Sequence, residues 1–474
     1  MSQSEKVWKT IEVEESAAQN LANSLSLPMP VARILTARGI SDQEEAQEFL
    51  SPLLSNLSDP FELPGMTTAV DRIWEGITKQ ESILVFGDYD ADGVTGTVLL
   101  ISVLRKLGAN PEWFIPNRKN DGYGFSKTAQ KHCIDEFSPN LIITVDCGTN
   151  SHDAVSAAAK NGVDVVVTDH HETDDEKIPP AISVVNPKLG DNDAVKMLAG
   201  VGVVFKLCHA LIKQGIENNQ SEVKDLDLRQ YLDIVALGTV ADVVPLTGEN
   251  RTLVRHGLKQ INKSPCCGLT ALIRSASIRT TLDCYHLGFL LGPRINAVGR
   301  MGSSEKAVEL LLIDDPAQAK RLSGQLDSAN RERRRVEETI VQAAVSELGG
   351  DKLEDDVYGI VVGREDWHIG TIGIVAARLC GRYKRPAVVI GFDENGFGRG
   401  SCRSVDSIDI ADVLNECSDL LLSCGGHKMA AGLSIEKENL NKFRNKFNKI
   451  CKERMHFDDM VPTQNVDSWI SLSE

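Results

Sequence analysis

The sequence predicts an α/β protein, in which a parallel sheet flanked by helices is joined by a long helix to a smaller α/β domain. Three observations carry this. Four short apolar runs, at 82–86, 141–145, 163–167 and 181–185, alternate with helical stretches. Continuous Val/Ile runs separated by helices mark parallel strands buried on both faces. Residues 316–348 contain no proline after Pro316 and hold a dense block of charge, Arg331-Glu332-Arg333-Arg334-Arg335 with Glu337-Glu338, which suits one long helix. A second alternation of strand and helix then begins at Val357.

In chain order, residues 1–80 read as short helices punctuated by Pro28, Pro30, Pro52, Pro60 and Pro64, forming an N-terminal segment that packs on the domain that follows. Residues 81–315 form the main α/β domain, with helices at 95–107, 151–160, 198–213 and 228–240. The connecting helix occupies 316–350; its charges form either a solvated face or a basic track for a polyanion. The smaller domain, 351–455, is read as strand 357–362, helix 370–381, strand 386–391, a glycine-rich turn at 395–400, helix 407–420, strand 433–435 and a last helix to about 452. Residues 456–474 form a tail.

At about 150 residues per domain, 474 residues give roughly three domains. With 42% hydrophobic and 25% charged residues the chain has a globular composition, which excludes disorder and fibrous folds. The net charge of −16 excludes a protein that coats nucleic acid through a uniformly basic surface. A nucleic-acid enzyme of this composition needs a local basic track, or metal ions that neutralise clustered carboxylates. No apolar stretch approaches the ~20 residues of a membrane span, and the N-terminus lacks a signal core. The eleven cysteines form no C-x-x-C pair, so free thiols in a reducing cytoplasm are expected.

The most informative segment is Asp88-Tyr89-Asp90-Ala91-Asp92-Gly93. It resembles the opening of an EF-hand loop, but that loop requires a bidentate Glu where Leu99 stands and a helix where a strand precedes it. The remaining readings are a solvated acidic loop or a metal-binding turn at the carboxyl end of a strand, where open α/β sheets place their ligands. The pattern recurs: Asp146 follows strand 141–145, and Asp169-His170-His171 follows strand 163–167. Asp242 ends a helical apolar stretch. Each pair of like charges at ~4 Å costs about 4 kcal/mol at an effective dielectric near 20, so gathered carboxylates call for bound cations. Carboxylates with imidazole and no thiolate favour Mn²⁺ or Mg²⁺, and a pair of such cations suits phosphoester displacement. Neither a Gly-x-Ser-x-Gly elbow nor a Gly-x-x-x-x-Gly-Lys-Ser/Thr loop is present. Arg294, Asn296 and Arg300 are read as lying in a glycine-punctuated loop suited to gripping phosphate. His368 and His427 stand beside glycines that permit close approach of a ligand, or are structural histidines. Tyr123 and Trp367 are candidates for stacking on a base or for ordinary core packing.

These residues resemble a known family. Asp88-Tyr89-Asp90-Ala91-Asp92-Gly93, Asp146-Cys147-Gly148, Asp169-His170-His171 and Ala241-Asp242-Val243-Val244-Pro245 are similar to the successive motifs of the DHH phosphoesterases. Gly292-Pro293-Arg294-Ile295-Asn296-Ala297-Val298-Gly299-Arg300 and Trp367-His368-Ile369-Gly370 resemble segments of the RecJ single-strand-specific exonucleases. Gly425-Gly426-His427-Lys428-Met429-Ala430-Ala431-Gly432 resembles the glycine-rich loop of the associated DHHA1 domain. The resemblance implies a DHH domain with a parallel sheet joined to a DHHA1 domain, and two divalent cations, Mn²⁺ or Mg²⁺. Asp88, Asp90 and Asp92 would be ligands, Asp146 a bridge between the cations, and His170 and Asp242 ligands of the second. His171 would contact the scissile phosphate and Asp169 would orient a histidine.

The implied activity is 5′→3′ hydrolysis of single-stranded DNA to 5′-mononucleotides in recombination and repair. The implied setting is a cytoplasmic monomer working with a single-strand-binding protein and a helicase. Arg118, Ser401 and Arg403 map onto a 5′-phosphate pocket, in which Cys402 replaces a usual glycine and would alter the shape. The alternatives are a DHH phosphoesterase for short oligonucleotides, 3′-phosphoadenosine phosphate or cyclic dinucleotides, and a scaffold without activity, whose metal ligands would be lost. Relatives carry a further OB-type domain, of which 456–474 would be the start; its absence implies a truncated product or a core enzyme with weak grip.

Overall fold

The computed structural model describes every residue except 1–6, 118–120, 123, 174–176, 303, 351–352, 355, 457–459, 462 and 471–474. Two compact units are present, Gln47–Asn330 and a second made of Met1–Ala46 with Arg331–Glu474. The boundary at 46/47 divides the segment 1–80 that the sequence suggested as one piece.

The Gln47–Asn330 unit is built on a five-stranded parallel sheet. Its strands are β2 (Ile83–Gly87), β3 (Glu112–Phe114), β4 (Leu141–Val145), β5 (Asp164–Thr168) and β6 (Ser183–Val185), counting from β1 (Val7–Thr10) in the other unit. The spatial order is β3-β2-β4-β5-β6. Alternate residues feed opposite faces. Ile83, Val85, Leu141, Ile143 and Val145 join one core with the helices Met66–Lys79, Ala91–Lys106 and Gly200–Glu217, whereas Leu84, Phe86 and Ile142 join a second core with Lys127–Phe137 and His152–Lys160. Chain order reverses between β2 and β4, because β3 lies on the outer side of β2. In open α/β sheets a crevice opens at such a switch point, outside the carboxyl ends of the strands.

Three expectations need correction here. The three-residue edge strand β3 was not foreseen. The helix after β2 starts at Ala91, so Asp92 lies within it and not in a preceding turn. Residues 292–300 are not a loop but the helix Gly292–Met301, with Pro293 in its first turn, where a missing N–H costs nothing.

The second unit carries the sheet β10-β11-β9-β8-β7, with β7 (Ile360–Arg364), β8 (Ala387–Phe392), β9 (Phe397–Arg403), β10 (Ser423–His427) and β11 (Ala430–Glu436). Only β7 and β8 run parallel. The glycine-rich turn expected at 395–400 closes by Phe397, and β9 occupies the rest. The glycine-rich segment 425–432 is likewise a hairpin rather than a loop. In the same unit β1 pairs in parallel with β12 (Thr463–Val466). The helix Pro316–Glu347 is continuous, as its sequence suggested. No helix among the described residues is long and apolar enough to cross a membrane.

Candidate metal centre

The site forms where three strands of the first sheet end. Asp88, Asp146 and Asp169 each continue the ladder by one residue: their N–H groups donate to Val145 O, Thr168 O and Val185 O at 3.0–3.1 Å. Their carboxylates are thereby fixed in one row at the switch point. Asp146 achieves this with φ +61°, in the left-handed region; aspartate tolerates that region better than most side chains.

The turn after β2 is held from several sides. Asp90 caps the helix Ala91–Lys106, its Oδ1 accepting from Asp92 N at 3.0 Å and Gly93 N at 3.1 Å. Asn296 Oδ1 accepts from Ala91 N at 2.6 Å, and Ser304 Oγ donates to Tyr89 O at 2.7 Å. Asp92 reaches across to the start of helix Gly200–Glu217 and accepts from Gly200 N at 2.6 Å and Val201 N at 2.8 Å. Asp242 arrives from a different direction, as the last residue of helix Leu232–Asp242.

His170 completes the arrangement. Its Nε2 lies 3.1 Å from Asp146 Oδ1, 3.7 Å from Asp242 Oδ2 and 3.8 Å from Asp92 Oδ2. His171 turns the other way: its Nδ1 sits 2.8 Å from Asp169 Oδ1, and Asp169 also accepts from the Thr149, His170 and His171 N–H groups. Asn186 Nδ2 donates to His171 O and to Thr149 Oγ1, tying this loop to the sheet.

Burial and mutual repulsion dominate the electrostatics. Asp88, Asp92 and Asp146 are pushed well above the carboxylate range by burial, reinforced by neighbouring aspartates, and Asp242 is pushed up to about 6 by burial and Asp90. Burial moves His170 down to about 4, so its ring is neutral at pH 7 and presents a lone pair. Burial alone would also lower His171, but the Asp169 hydrogen bond and charge outweigh it and raise the ring to about 9. Asp169, although buried, is held below its ordinary value by that histidine and by its N–H donors.

The described residues satisfy the requirements of a cation site. Asp88 Oδ1, Asp146 Oδ1 and His170 Nε2 are buried without a hydrogen-bond partner, and groups of that kind normally find one. Three sets of donors converge within 4.8 Å: Asp88, Asp90 and Asp146; Asp92, His170 and Asp242; and Asp146, His170 and His171. Asp146 belongs to two sets that share no other member, the position that a ligand common to two cations would occupy. The donor set is carboxylate and imidazole, which suits Mn²⁺ or Mg²⁺.

Comparison with known proteins agrees. Residues 82–239 match the DHH family, N-terminal domain, and residues 356–453 match the DHHA1 domain. The single-stranded-DNA-specific exonuclease RecJ of Haemophilus influenzae is 36% identical over 443 residues, covering 90% of this chain and 76% of that protein. The chain belongs to the RecJ family. The RecJ of Bacillus subtilis is 38% identical over 463 residues, covering 97% of this chain and 57% of its own length. Among solved structures, Thermus thermophilus RecJ in complex with Mn²⁺ superposes with a TM-score of 0.81 at 31% identity, covering 98% of this chain and 64% of that one. An exonuclease RecJ bound to manganese gives 0.72 at 35%, covering 82% and 95%. The chain therefore spans less than two thirds of the B. subtilis and T. thermophilus RecJ chains.

The other residues expected from the RecJ resemblance divide. Arg294 is buried, with its guanidinium 2.9 Å from Asp327 and donating to Leu290 O. Asn296 serves the Ala91 turn, as described, and Arg300 is half-buried in the last turn of the same helix. Arg118 and Tyr123 lie outside the described residues. In the second unit, register places His427, Ala430 and Arg403 in one row across β10, β11 and β9, with Ser401 two residues from Arg403 on the same face. Arg403 Nη1 donates to Ser401 Oγ at 3.2 Å. Cys402 points the opposite way into the core, so its side chain does not shape the Ser401–Arg403 face. Trp367 is core packing and not a stacking surface. His368 Nδ1 accepts from Gly370 N at 3.2 Å, just ahead of helix Ile372–Tyr383.

Sequence reasoning missed Gly200 and Val201, whose N–H groups hold Asp92. The signal was present as Gly200-Val201-Gly202, a glycine pair opening an apolar helix.

Proposed function

We propose that this chain is a metal-dependent exonuclease that hydrolyses single-stranded DNA in the 5′→3′ direction to 5′-mononucleotides, in recombination and repair. The observation that carries the reading is the convergence of three buried ligand atoms that make no hydrogen bond, Asp88 Oδ1, Asp146 Oδ1 and His170 Nε2, at the switch point of a RecJ-family sheet. The RecJ relatives are named as single-stranded-DNA-specific exonucleases, which supports the substrate class.

Asp88, Asp90, Asp92, Asp146, His170 and Asp242 would hold two divalent cations, Mn²⁺ or Mg²⁺. When bound, such a pair makes water acidic enough to attack at neutral pH and offsets charge on the phosphate oxygens. The chain's own groups do the rest. Asp169 keeps His171 protonated at pH 7 and fixes its Nδ1, leaving the half-exposed ring to meet a phosphate oxygen. Asn296 and Gly200 keep the carboxylate-bearing turns in register. Ser401, Arg403 and His427 lie on one face of the second unit's sheet and would hold a terminal phosphate. A monomer acting in the cytoplasm with a single-strand-binding protein and a helicase completes the proposal.

The direct test is incubation with Mn²⁺ and 3′-labelled single strands bearing a 5′-phosphate, beside duplex DNA and dinucleotides. Stepwise loss from the 5′ end is expected; activity confined to dinucleotides would overturn the reading. Arg403→Ala should reduce the preference for a 5′-phosphate over a 5′-hydroxyl by roughly tenfold, the worth of one charge-assisted contact. Its metal-induced thermal shift should stay unchanged.

The pH dependence has a definite sign. Carboxylates with raised values, and His171 at about 9, stabilise the fold when protonated and lose that contribution as pH rises through their folded values. His170, lowered to about 4, works in the opposite direction only below its ordinary value near 6.5. Through His171, metal-free protein should therefore lose stability as pH rises from 6.5 to about 9. The Mn²⁺-induced rise in melting temperature should grow over the same interval; calorimetry at four pH values with EDTA or Mn²⁺ measures both.

A further inference from the structure

Asp242 is supported differently from the other carboxylates of the site. Asp88, Asp146 and Asp169 each continue a strand ladder. Asp242 instead ends helix Leu232–Asp242, and the chain leaves it through Val243, which has φ +68° and is 84% exposed. A β-branched residue in the left-handed region costs free energy, and one standing in solvent recovers little of it by packing. The turn that aims Asp242 therefore depends on ties further along the chain.

One such tie is at Pro245, three residues on. Asn250, in the first turn of helix Gly248–Lys263, is 1% exposed, and its Nδ2 donates to Pro245 O at 3.1 Å and also to Met197 O. Met197 stands three residues before Gly200, whose N–H, with that of Val201, holds Asp92. A single amide group thus joins the turn that carries Asp242 to the segment that fixes Asp92. These two carboxylates belong to one donor set with His170, whose Nε2 lies 3.7 Å from Asp242 and 3.8 Å from Asp92.

The neighbouring residue fastens the same helix start a second time. Glu249 Oε1 accepts from Ser58 Oγ at 2.6 Å and from Lys206 Nζ at 3.0 Å, and Lys206 is fully buried on helix Gly200–Glu217. Asn250 is therefore anchored on a helix that is itself pinned to the one holding Asp92. Its Oδ1, by contrast, is buried and makes no hydrogen bond. A buried oxygen left unsatisfied costs stability, so what the position uses is the pair of N–H donors. Aspartate would keep the shape, lose both donors and set a carboxylate against two carbonyl oxygens.

We infer that Asn250 is a positioning residue for the metal centre: by joining Pro245 O to Met197 O it sets the place of Asp242 relative to Asp92, and so the fit of the cation that they would share with His170. This role rests on the two-cation reading. The other set, Asp88, Asp90 and Asp146, is held by the strand ladder and by the Asn296 contact to Ala91, and does not pass through this amide.

The test is Mn²⁺ binding to the full chain without DNA, followed by isothermal titration and electron paramagnetic resonance. Intact protein should take up two Mn²⁺ and give the spectrum of a spin-coupled pair. Asn250→Asp should keep one site near its original affinity and weaken the other roughly tenfold or more, the usual cost of losing a group that orients a ligand. At Mn²⁺ concentrations that fill both sites of intact protein, its spectrum should be that of an isolated ion. Asn250→Ala removes the donors without adding charge, should act in the same direction, and serves if the aspartate variant does not fold. Leu269→Ala, which truncates a fully buried side chain of the same core, controls for lost stability: its melting temperature should fall while the coupled pair remains. Equal weakening of both sites in the Asn250 variants, an unchanged pair spectrum in them, or loss of the pair in Leu269→Ala as well would overturn the role. Intact protein that binds a single Mn²⁺ would overturn the two-cation reading instead; weakening of that ion by Asn250→Asp would still support the tie, and unchanged binding would end it.

Discussion

Asp146→Asn is expected to lower the turnover of single-stranded DNA by about three decades and to abolish the Mn²⁺-dependent rise in melting temperature. Asparagine is the informative substitution because it keeps the side-chain shape and accepts the left-handed backbone that position 146 requires. Alanine there would mix backbone strain with loss of charge. Asp146 supplies an oxygen both to the set with Asp88 and Asp90 and to the set with His170 and His171. One substitution therefore removes a negative charge from both halves of the site. A unit charge at ~4 Å is worth about 4 kcal/mol at an effective dielectric near 20, and each 1.36 kcal/mol is a decade in rate.

The same substitution has an opposite effect that a merely structural role would not produce. Burial, and after it the charges of Asp92, Asp90 and Asp88, raises the pKa of Asp146, so in metal-free protein its charge opposes folding. Metal-free Asp146→Asn should melt higher than metal-free wild type at pH 8, and the order should reverse once Mn²⁺ is added. Turnover within tenfold of wild type would remove Asp146 from the position shared by two cations.

Which parts of this site could be read from sequence follows from how each residue is held. Asp88, Asp146 and Asp169 were legible because each stands within two residues of the end of an apolar run, and a buried parallel strand leaves its next residue at the sheet edge. Asp242 was legible as the first acid after an apolar helical stretch. The support around them was not. Gly200 lies 108 residues from Asp92, and nothing local marks its N–H as the partner. The pairing of Arg294 with Asp327, 33 residues further along the chain, likewise has no local signal. The helix Gly292–Met301 was hidden by Gly292, Pro293 and Gly299, which read as loop punctuation, although proline in a first turn is compatible with a helix. In the second unit, Gly425 and Gly426 occupy β10 without side chains, which erases the period-two signal that would have revealed the hairpin.

Gly200→Ala sets a local propensity against the packing of the site, and the two predict opposite signs. Gly200 opens a helix with no positive φ, where the higher helix propensity of alanine alone would make the substitution neutral or favourable. A Cβ at this position, however, would lie 2.6 Å from Asp146 Oδ1, 2.7 Å from its Cβ and 2.8 Å from its Cγ. Neither side can yield cheaply. The Gly200 and Val201 N–H groups hold Asp92, so retreat of the helix releases one carboxylate. Asp146 is tied through its own N–H to Thr168 O, so retreat of the strand end displaces the other. Overpacking of this kind costs about 1–3 kcal/mol, and misplacing a catalytic group by 1 Å costs roughly a hundredfold in rate. Gly200→Ala should therefore lower turnover about a hundredfold and raise the Mn²⁺ concentration needed for half-maximal activity, with the fold retained. Gly202→Ala is the matched control: its Cβ would meet the end of the Leu198 side chain at 3.0 Å, a group that can rotate away. Circular dichroism, melting temperature and Mn²⁺ titration of the two variants decide the matter. If Gly200→Ala is as active as Gly202→Ala, the close approach of the helix start to Asp146 plays no part in forming the site.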